Sequence, residues 1–226
     1  MVMTGTPGTE LIFINEAFHA DAVSQAQLDR LLAGAWRHFG TRFFRYSLNL
    51  YLDEIQRVIP LRIRLAQFQF SKSQRRVLAK NADLRVENRS IEITGESQSL
   101  FDRHKSRFDH SVPDSIFDFL SNEPATVPCE GREFAVYLDD KLVAVSYFDV
   151  AEAALSGIYA IFDPDESSRG LGTFTMLKEI EYAIESGREF YYQGYAYEGR
   201  SFYDYKKRFA GTETFDWNGD WKKLVT

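Results

Sequence analysis

The chain has 226 residues, of which 44% are hydrophobic and 27% charged, and its formal net charge is −6. This composition predicts a folded protein with a buried core and argues against a general nucleic-acid binder, which is usually basic. A single cysteine, Cys129, excludes an internal disulfide and a cysteine-based zinc or iron–sulfur site, and no apolar run approaches the ~20 residues that span a membrane. We therefore expect a soluble, cytoplasmic, monomeric protein without a metal.

Charge is segregated along the chain. Between Arg57 and Arg89, nine basic residues accompany two acidic ones, so this stretch carries +7 and the remainder carries −13. Such a stretch is either an ordinary solvated surface with scattered ion pairs or a surface that binds phosphate. A second, smaller basic cluster is Lys206-Lys207-Arg208.

Apolar periodicity and capping signals predict alternating strands and helices in the first half. In chain order, we expect a strand at 11–14, a helix at 24–39, strands at 43–52 and 58–70, a helix at 71–81, a strand at 85–93 and helices at 96–108 and 114–120. Arg62 and Arg64 alternate with Leu61 and Ile63, which places both arginines on the face opposite the apolar residues. The proline-containing loop at 122–131 predicts an internal boundary.

The second half is more regular. We expect a hairpin at 134–138 and 142–150, a strand at 154–162, a loop at 163–169, a helix at 170–185, a strand at 189–193, a short helix at 201–209 and a terminal hairpin at 212–224. This order resembles the core of the GNAT acyltransferase fold. We therefore predict an α+β fold, in which helices flank a mixed, largely antiparallel sheet. The predicted organisation is a flexible N-terminus at 1–10, an α/β region at 11–121 packed against the sheet, and a GNAT-like region at 131–226.

Three segments carry residues with chemical potential. The loop from Ser167 to Thr173 contains Gly170 and Gly172, which either form a simple turn or present backbone amides at a helix start to an anion. The segment Ser71–Arg76 is a capped, basic helix start, which is also typical of an ordinary surface helix. The segments Tyr191–Tyr195 and Tyr203–Phe209 combine rings with cations, as in a core or in an anion site with a stacked ring.

These motifs occur in an order that resembles the aminoacyl-tRNA–protein transferases, the family of the arginyl-tRNA–protein and bacterial leucyl-tRNA–protein transferases. The resemblance spans roughly residues 35–209. It depends on the segments Trp36–Gly40, Val58–Ile63 with Phe68, Ser71–Arg76, Tyr159–Asp165, Leu171–Phe174, Tyr192–Tyr195, and Tyr205-Lys206 with Phe209. The hexapeptide Ser-x-Ser-Gln-Arg-Arg, followed later by Gly-Tyr and Tyr-Lys, is the most specific part.

One departure concerns the cysteines that this family usually carries in its N-terminal region, where they are linked to iron–sulfur or metal binding. Leu52, Ile55 and Val58 stand at the corresponding positions of this chain. We expect these apolar residues to pack in the core. The chain is accordingly expected to be a member without a cluster and without a redox switch of that kind.

The resemblance implies transfer of an aminoacyl group from charged tRNA to the α-amine of a protein that begins with Asp or Glu, which marks that protein for degradation. The aminoacyl ester is already activated, so no cofactor is expected, and proximity and backbone amides supply the acceleration. The resemblance suggests these roles: Asp163 and Tyr205 are catalytic; Lys72, Arg169, Gly170, Leu171, Gly172, Thr173 and Tyr195 bind the donor tRNA; Arg62, Arg75, Arg76 and Lys206 bind the acidic side chain of the acceptor or phosphates of the tRNA.

The donor amino acid stays open between arginine and leucine. We favour arginine on the general character of the sequence. An arginine donor would need an acidic pocket, and Asp149, Glu152, Asp163 and Asp165 lie near the relevant strand ends. Leucine would need rings and aliphatic side chains, which are also plentiful. Two functions of other classes stay open as well. One is an acyl-CoA-dependent N-acyltransferase, although Ser167 stands where such enzymes carry Arg or Gln. The other is a non-catalytic module that binds tRNA or degrons.

Overall fold

Strands and helices alternate through the structure, a computed structural model that describes residues 13–108 and 112–224. In chain order they are β1 Asn15–His19, α1 Gln25–Ala33, β2 Arg37–Phe39, β3 Arg42–Tyr46, β4 Leu48–Tyr51, β5 Glu54–Arg64, α2 Lys72–Lys80, β6 Arg85–Ser90, α3 Gly95–Lys105, β7 Gly131–Leu138, β8 Lys141–Val150, β9 Ala154–Phe162, α4 Leu171–Glu185, β10 Phe190–Tyr197, β11 Thr212–Phe215 and β12 Trp221–Lys223. Short 3₁₀ helices occupy Leu65–Gln67, Ile116–Asp118, Pro164–Arg169 and Phe202–Arg208. The predicted flexible segment 1–10 and the start of the predicted strand 11–14 lie outside the described residues.

Strands from both halves of the chain share one mixed sheet. Its order is β12-β11-β5-β10-β9-β8-β7-β6, and β4 pairs with β5 at one side. β9 and β10 run parallel, whereas the other pairs of this sheet are antiparallel. The predicted α+β class, with a mixed and largely antiparallel sheet, is therefore confirmed. The predicted boundary at 122–131 falls between β6 and β7, which are neighbours in this sheet.

Helices cover both faces of the sheet. α4 packs Leu177 and Ile180 against Phe148 on one face, with α2 beside it, and α3 packs Leu100 and Phe101 against the other. The adjacent β8 residues Tyr147 and Phe148 belong to different cores because side chains along a strand point to opposite faces. A smaller sheet of order β1-β3-β2 lies with α1 at the edge. Within the described residues, no helix is long and apolar enough to cross a membrane.

The first helix is shorter than its apolar periodicity predicts. Its capping box at Ser24 and Gln27 is present, but the helix ends at Gly34, followed by Ala35 in the left-handed region with φ 63°. The predicted extension to Phe39 is therefore wrong. Gly34 caps the helix with an ordinary negative φ, and the left-handed conformation of Ala35 turns the chain into β2. This break matters for function because it takes Arg37 off the helix and places it in a strand.

Two of the three residues at the family's cysteine positions are not in the core. Val58 is buried as expected, with 1% of its surface exposed, but Leu52 and Ile55 are 72% and 75% exposed. The expectation that all three pack inside is therefore wrong for these two. They lie at the tip of the β4–β5 hairpin. Among the described strands β4 pairs with β5 alone, so no further strand covers this part of the hairpin. The predicted strand 58–70 likewise ends early, at Arg64.

Arg62 lies opposite the apolar face of β5, as predicted, but it is buried. Its Nε donates to Glu213 at 2.7 Å, and the guanidinium lies 4.0 Å and 4.4 Å from the ring centres of Phe190 and Trp221. Arg64 donates to the other oxygen of Glu213 at 2.8 Å. These contacts join β5 to β11 and β12 and leave Arg62 fully occupied.

Replacement of Glu213 tests this interaction. We expect Glu213→Gln to lower the free energy of unfolding by about 3 kcal/mol, because it leaves a buried guanidinium without its counter-charge. A double variant, Arg62→Met with Glu213→Met, removes both charges and should recover most of that loss. Urea denaturation of the three proteins measures the difference. Equal destabilisation by the single and double variants would contradict the ion-pair explanation.

Candidate functional site

The site lies where the two parallel strands of the sheet separate. β9 and β10 are paired over Ala154–Ser156 and Phe190–Tyr192. Beyond these residues β9 continues alongside β8, whereas β10 continues alongside β5. The two strands thus open a gap in the middle of the sheet, and α4 begins beside this gap.

A cavity of about 400 Å³ occupies the gap. α3, β9, α4, β10 and the 3₁₀ helix Phe202–Arg208 contribute its walls, which are mostly apolar: Phe108, Ile158, Tyr159, Ala160, Phe162, Leu171, Met176, Phe202, Tyr203 and Tyr205. Its charged and titratable lining consists of His104, Arg107, Glu179, Lys206 and buried tyrosines. Burial and the nearby Arg107 lower the pKa of His104 to about 4, so this ring is neutral at pH 7.

Arg37 holds the point at which β9 and β10 separate. Its guanidinium donates to the Ser156 hydroxyl at 2.9 Å and to the Gly157 carbonyl. It therefore satisfies polar groups that the diverging strands do not pair with each other. A Cβ on Gly194 would lie 3.4 Å from Arg37 Cζ and 3.5 Å from Lys206 Nζ, so a glycine at this position lets both cations approach the strand.

Glu179 of α4 is a buried carboxyl group in the cavity wall. It is 3% exposed, and the Tyr191 hydroxyl donates to it at 2.5 Å. Burial is the main cause that raises its pKa to about 7, against the opposing effect of the hydrogen bond from Tyr191. A Cβ at residue 157 would lie 2.8 Å from Tyr191 Oη and 3.0 Å from Glu179 Oε2, so Gly157 makes room for this pair.

Lys206 brings a cation to the same cavity and forms no ion pair within the described residues. Its ammonium donates to the Tyr195 carbonyl at 3.4 Å and lies 5.2 Å from the Tyr203 ring centre. Burial and Arg37 lower the pKa of Lys206 to about 7. Beside it, Gln193 is the extra residue of a β-bulge against β5, is 3% exposed and has no hydrogen-bond partner for either amide atom within the described residues. The cavity thus holds a cation and an unpaired amide, both of which suit an anion.

Six of the predicted site residues come together at the cavity: Gly170, Leu171, Gly172, Thr173, Tyr205 and Lys206. The first four form the start of α4, where Gly170 provides no side-chain cap and the N–H groups of Leu171 and Gly172 have no intrahelical acceptor. Tyr205 is half-buried, and burial raises its pKa to about 12, so it keeps its proton.

Four other predicted residues are occupied elsewhere. Asp163 is buried behind the cavity wall, where it accepts from the Asp165 N–H at 3.1 Å and pairs with Lys141 at 2.8 Å. Burial opposes its ionisation, but these contacts and Arg103 outweigh that effect and lower the pKa of Asp163. Arg169 forms two hydrogen bonds to Asp83, both 3.0 Å, and the Tyr195 hydroxyl donates to the Ala35 carbonyl at 2.6 Å. Arg62 pairs with Glu213, as described above.

The remaining three predicted residues, Lys72, Arg75 and Arg76, lie on the exposed face of α2 and do not line the cavity. Conversely, the sequence did not single out Glu179, Arg37 or Gln193 as site residues. Glu179 lies three residues from Met176 and close in the chain to Leu177 and Ile180, so its place on the apolar side of α4 was a usable signal. The burial of the other two depends on the strand geometry.

One group of described side chains has metal-ligating chemistry, namely His38, Cys129 and Asp149, all buried. The two ring nitrogens of His38 face the Gly40 carbonyl at 2.9 Å and Asp149 Oδ2 at 3.0 Å, and Cys129 Sγ donates to Asp149 Oδ1 at 3.4 Å. Burial opposes protonation, but Asp149 outweighs it and raises the pKa of His38. Two acceptors at the two nitrogens fit a protonated imidazole, so the cluster is a buried ion pair with a thiol donor.

Comparisons with known proteins find similarity over the part of the chain that forms the cavity. A family model described as arginine-tRNA-protein transferase, C terminus, matches residues 96–216, a range that contains every cavity-lining residue. The chain is 30% identical over 190 residues to an aspartate/glutamate leucyltransferase of Campylobacter jejuni, covering 82% of this chain and 78% of the relative. It is 35% identical over 173 residues to an aspartate/glutamate leucyltransferase of Xanthomonas euvesicatoria pv. vesicatoria, covering 71% and 68%.

Among solved structures, the crystal structure of FemX matches 93% of this chain and 72% of its own, with a TM-score of 0.53 and 12% sequence identity. At that identity the likeness concerns the fold alone. Together with the order hairpin, third strand, α4 and parallel β10, it agrees with the GNAT-like core expected from the sequence.

Proposed function

This chain belongs to the aminoacyl-tRNA–protein transferase family, and from that premise we propose that it transfers leucine from charged tRNA to the α-amine of proteins that begin with Asp or Glu. The observation that carries the proposal is the cavity between β9 and β10, which combines a buried carboxyl group, an unneutralised cation and an apolar wall. The transfer marks its acceptors for degradation, and its dependence on charged tRNA assigns it to the cytoplasm.

The choice of leucine rests on the cavity wall and on the relatives. The acidic residues considered for an arginine pocket, Asp149, Glu152, Asp163 and Asp165, do not line the cavity. Its wall near the start of α4 is built from Ile158, Phe162, Leu171 and Met176, which suit a branched aliphatic side chain. Arg107 in the same lining opposes a cationic side chain. The two relatives described above bear the name leucyltransferase, and the comparisons do not confirm arginine.

Lys206 is the proposed receptor for the acidic side chain of the acceptor. A half-buried ammonium beside Arg37, with no ion-pair partner within the described residues, is unfavourable until an anion arrives. A carboxylate of Asp or Glu would supply this anion and raise the pKa of Lys206 again. The unpaired Gln193 amide is the nearby group that can donate a further hydrogen bond. Of the four predicted acceptor-binding residues, the proposal thus retains Lys206.

Glu179 replaces Asp163 as the proposed proton acceptor. The attacking α-amine must be neutral, and its usual pKa is about 7.7–8. A carboxylate whose pKa is about 7 takes up that proton efficiently near neutral pH. The nitrogen of the neutral amine then bonds to the ester carbonyl carbon and loses one proton to Glu179. As the ester C–O bond breaks, Glu179 passes this proton to the ribose oxygen, which leaves as a hydroxyl group. Tyr205, which keeps its proton, is retained as a hydrogen-bond donor in the cavity.

The start of α4 is the proposed site for the negative charge that develops on the ester carbonyl oxygen. Within the described residues, the backbone N–H groups of Leu171 and Gly172 are free in the first turn, whereas the Thr173 N–H donates to the Gly170 carbonyl at 3.0 Å. The helix dipole adds to the effect of the two free groups. These groups need no rearrangement during the reaction because the helix fixes them in advance. The same turn gives no support to acyl-CoA as donor, since Ser167 again stands where the acyl-CoA-dependent pattern has a longer polar residue.

The direct test is a transfer assay read by mass spectrometry. The protein is incubated with total charged tRNA and with matched peptides that begin with Asp, Glu or Ala. We expect one leucine on the Asp and Glu peptides and none on the Ala peptide. Addition of arginine would overturn the donor, and tRNA binding without any product would favour the non-catalytic module. Acetylation in a parallel reaction with acetyl-CoA would favour the acyl-CoA alternative.

Lys206→Met tests the acceptor site. We expect the KM for the Asp peptide to rise about tenfold and the preference for Asp over Ala to shrink, because the carboxylate loses its counter-charge. The matched control is Lys207→Met, since Lys207 pairs with Asp204 at 2.9 Å and does not line the cavity. Steady-state kinetics with both peptides give the comparison. An unchanged KM in Lys206→Met would exclude this residue from acceptor recognition.

Glu179→Gln tests the proton acceptor and separates chemistry from folding. We expect kcat to fall at least about 100-fold at pH 7, since the amide cannot take the proton. The raised pKa means that the parent loses stability as pH rises from 4.5 to about 7, whereas the variant lacks this loss. The difference in free energy of unfolding, variant minus parent, should therefore be roughly 3 kcal/mol more favourable at pH 8 than at pH 4. Loss of activity together with loss of stability at pH 8 would instead indicate a structural role.

A further inference from the structure

α2 presents four cations on its outer face. At about 100° per residue, Lys72, Arg75, Arg76 and Lys80 fall within an arc of about 140°, on the side opposite Gln74, Val77 and Leu78, which face inward. All four are exposed, and the helix contains no acidic residue. We name these four residues the α2 stripe.

The α2 stripe is unfavourable for the helix that carries it. Lys72 and Arg76, and Arg76 and Lys80, are four residues apart, where like charges repel across one helical turn. Lys72 and Arg75 also lie in the first turn, near the positive end of the helix dipole, and no acidic residue balances them there. Within the described residues, none of the four forms an ion pair, whereas the neighbouring Arg62, Arg85 and Arg89 are each paired. A bound polyanion would relieve both kinds of repulsion.

The C-terminal end of the α2 stripe reaches the wall of the cavity. Lys80 Nζ donates to the Ser168 carbonyl at 2.5 Å, and Asn81 Nδ2 donates to the Arg169 carbonyl at 3.0 Å. Ser167 and Gly170, on either side of these two residues in the chain, line the cavity. Lys80 is the eighth residue after Lys72 in the helix and lies about 12 Å from it along the axis. The stripe is thus a row of positive charge that ends at the cavity beside the start of α4.

We propose that the α2 stripe binds the phosphate backbone of the acceptor stem of the donor tRNA and directs its 3′ end past Ser168 into the cavity. The inference rests on the proposed function, since it takes the cavity as the site that receives the aminoacyl group. Flexible lysines and arginines without an accompanying aromatic ring on the outer face contact backbone phosphates rather than bases. An acidic protein surface is the less suitable partner, because the proposed acceptor cation, Lys206, belongs to a different element, the 3₁₀ helix Phe202–Arg208.

The test uses Lys72→Gln with Arg76→Gln. Glutamine keeps helix propensity, and the substitution removes a repulsive pair, so the melting temperature should stay equal or rise. The matched control is Arg30→Gln with Lys223→Gln, which removes the same charge from two exposed positions outside α2 and the cavity. Three quantities are measured for each protein: the Kd for uncharged tRNA by fluorescence anisotropy over a salt series, the KM for leucyl-tRNA, and the KM for 3′-leucyl-adenosine, which has no acceptor stem.

For the α2 variant we expect a Kd and a KM for tRNA about tenfold higher, and a salt dependence of log Kd shallower by about 2, since each lost phosphate contact removes ~0.9. The KM for leucyl-adenosine and the KM for the Asp peptide should not change, and the control should match the parent. An unchanged tRNA affinity would overturn the inference, as would a raised peptide KM, which would indicate an acceptor surface. An equal rise in the KM for leucyl-tRNA and in the KM for 3′-leucyl-adenosine would indicate a structural effect and would also overturn the inference. If the parent transfers from neither donor but the α2 variant still weakens tRNA binding, the inference holds and the proposed function fails.

Discussion

The site depends on the guanidinium of Arg37, which lies where strands β9 and β10 separate. Where parallel strands diverge, hydroxyl and carbonyl groups that pairing would otherwise satisfy lose their partners. Arg37 donates to Ser156 and Gly157 at that point, so the gap between β9 and β10 is closed at its base by a cation rather than by a strand. Arg37 thereby holds the two strands that form part of the cavity wall and places a positive charge close to Glu179 and Lys206.

This positive charge acts on two titratable groups of the cavity, the buried carboxyl group of Glu179 and the half-buried amine of Lys206. Burial disfavours the charged form of each group, so it raises the pKa of Glu179 and lowers the pKa of Lys206, both to about 7. Arg37 acts on both in the same direction, since it favours loss of the proton from each. Near neutral pH the site can thus release or accept a proton at either group at little cost. An acceptor that brings both a carboxylate and an ammonium group matches this pair, because the first suits Lys206 and the second suits Glu179.

Local signals in the sequence were sufficient for elements that end at their own capping residues. β9 has the predicted bounds, α2 begins at its capping box on Ser71 and is capped at Asn81, and α4 differs from its prediction by one residue at its start. The site was less accessible because its members depend on tertiary contacts. Glu179 is buried only because Tyr191 and Gly157 meet it from two strands, and Gln193 enters the cavity because of a bulge that appears only when β10 pairs with β5. The role of Arg37 could not be predicted because the helix was expected to continue past Gly34 and to include this residue.

Segregation of charge reconciles an acidic chain with a polyanionic donor. Of the basic stretch from Arg57 to Arg89, the strand residues are largely neutralised: Arg62 and Arg64 share Glu213, Arg85 pairs with Glu87, and Arg89 pairs with Glu133. The uncompensated charge of this stretch is therefore concentrated on α2, whereas the rest of the chain is acidic. A polyanion is repelled by most of such a surface and attracted to one face, so the electrostatic field orients the encounter as well as accelerating it. Because α2 ends beside the start of α4, the orientation that this field favours also brings one end of the bound polyanion to the cavity.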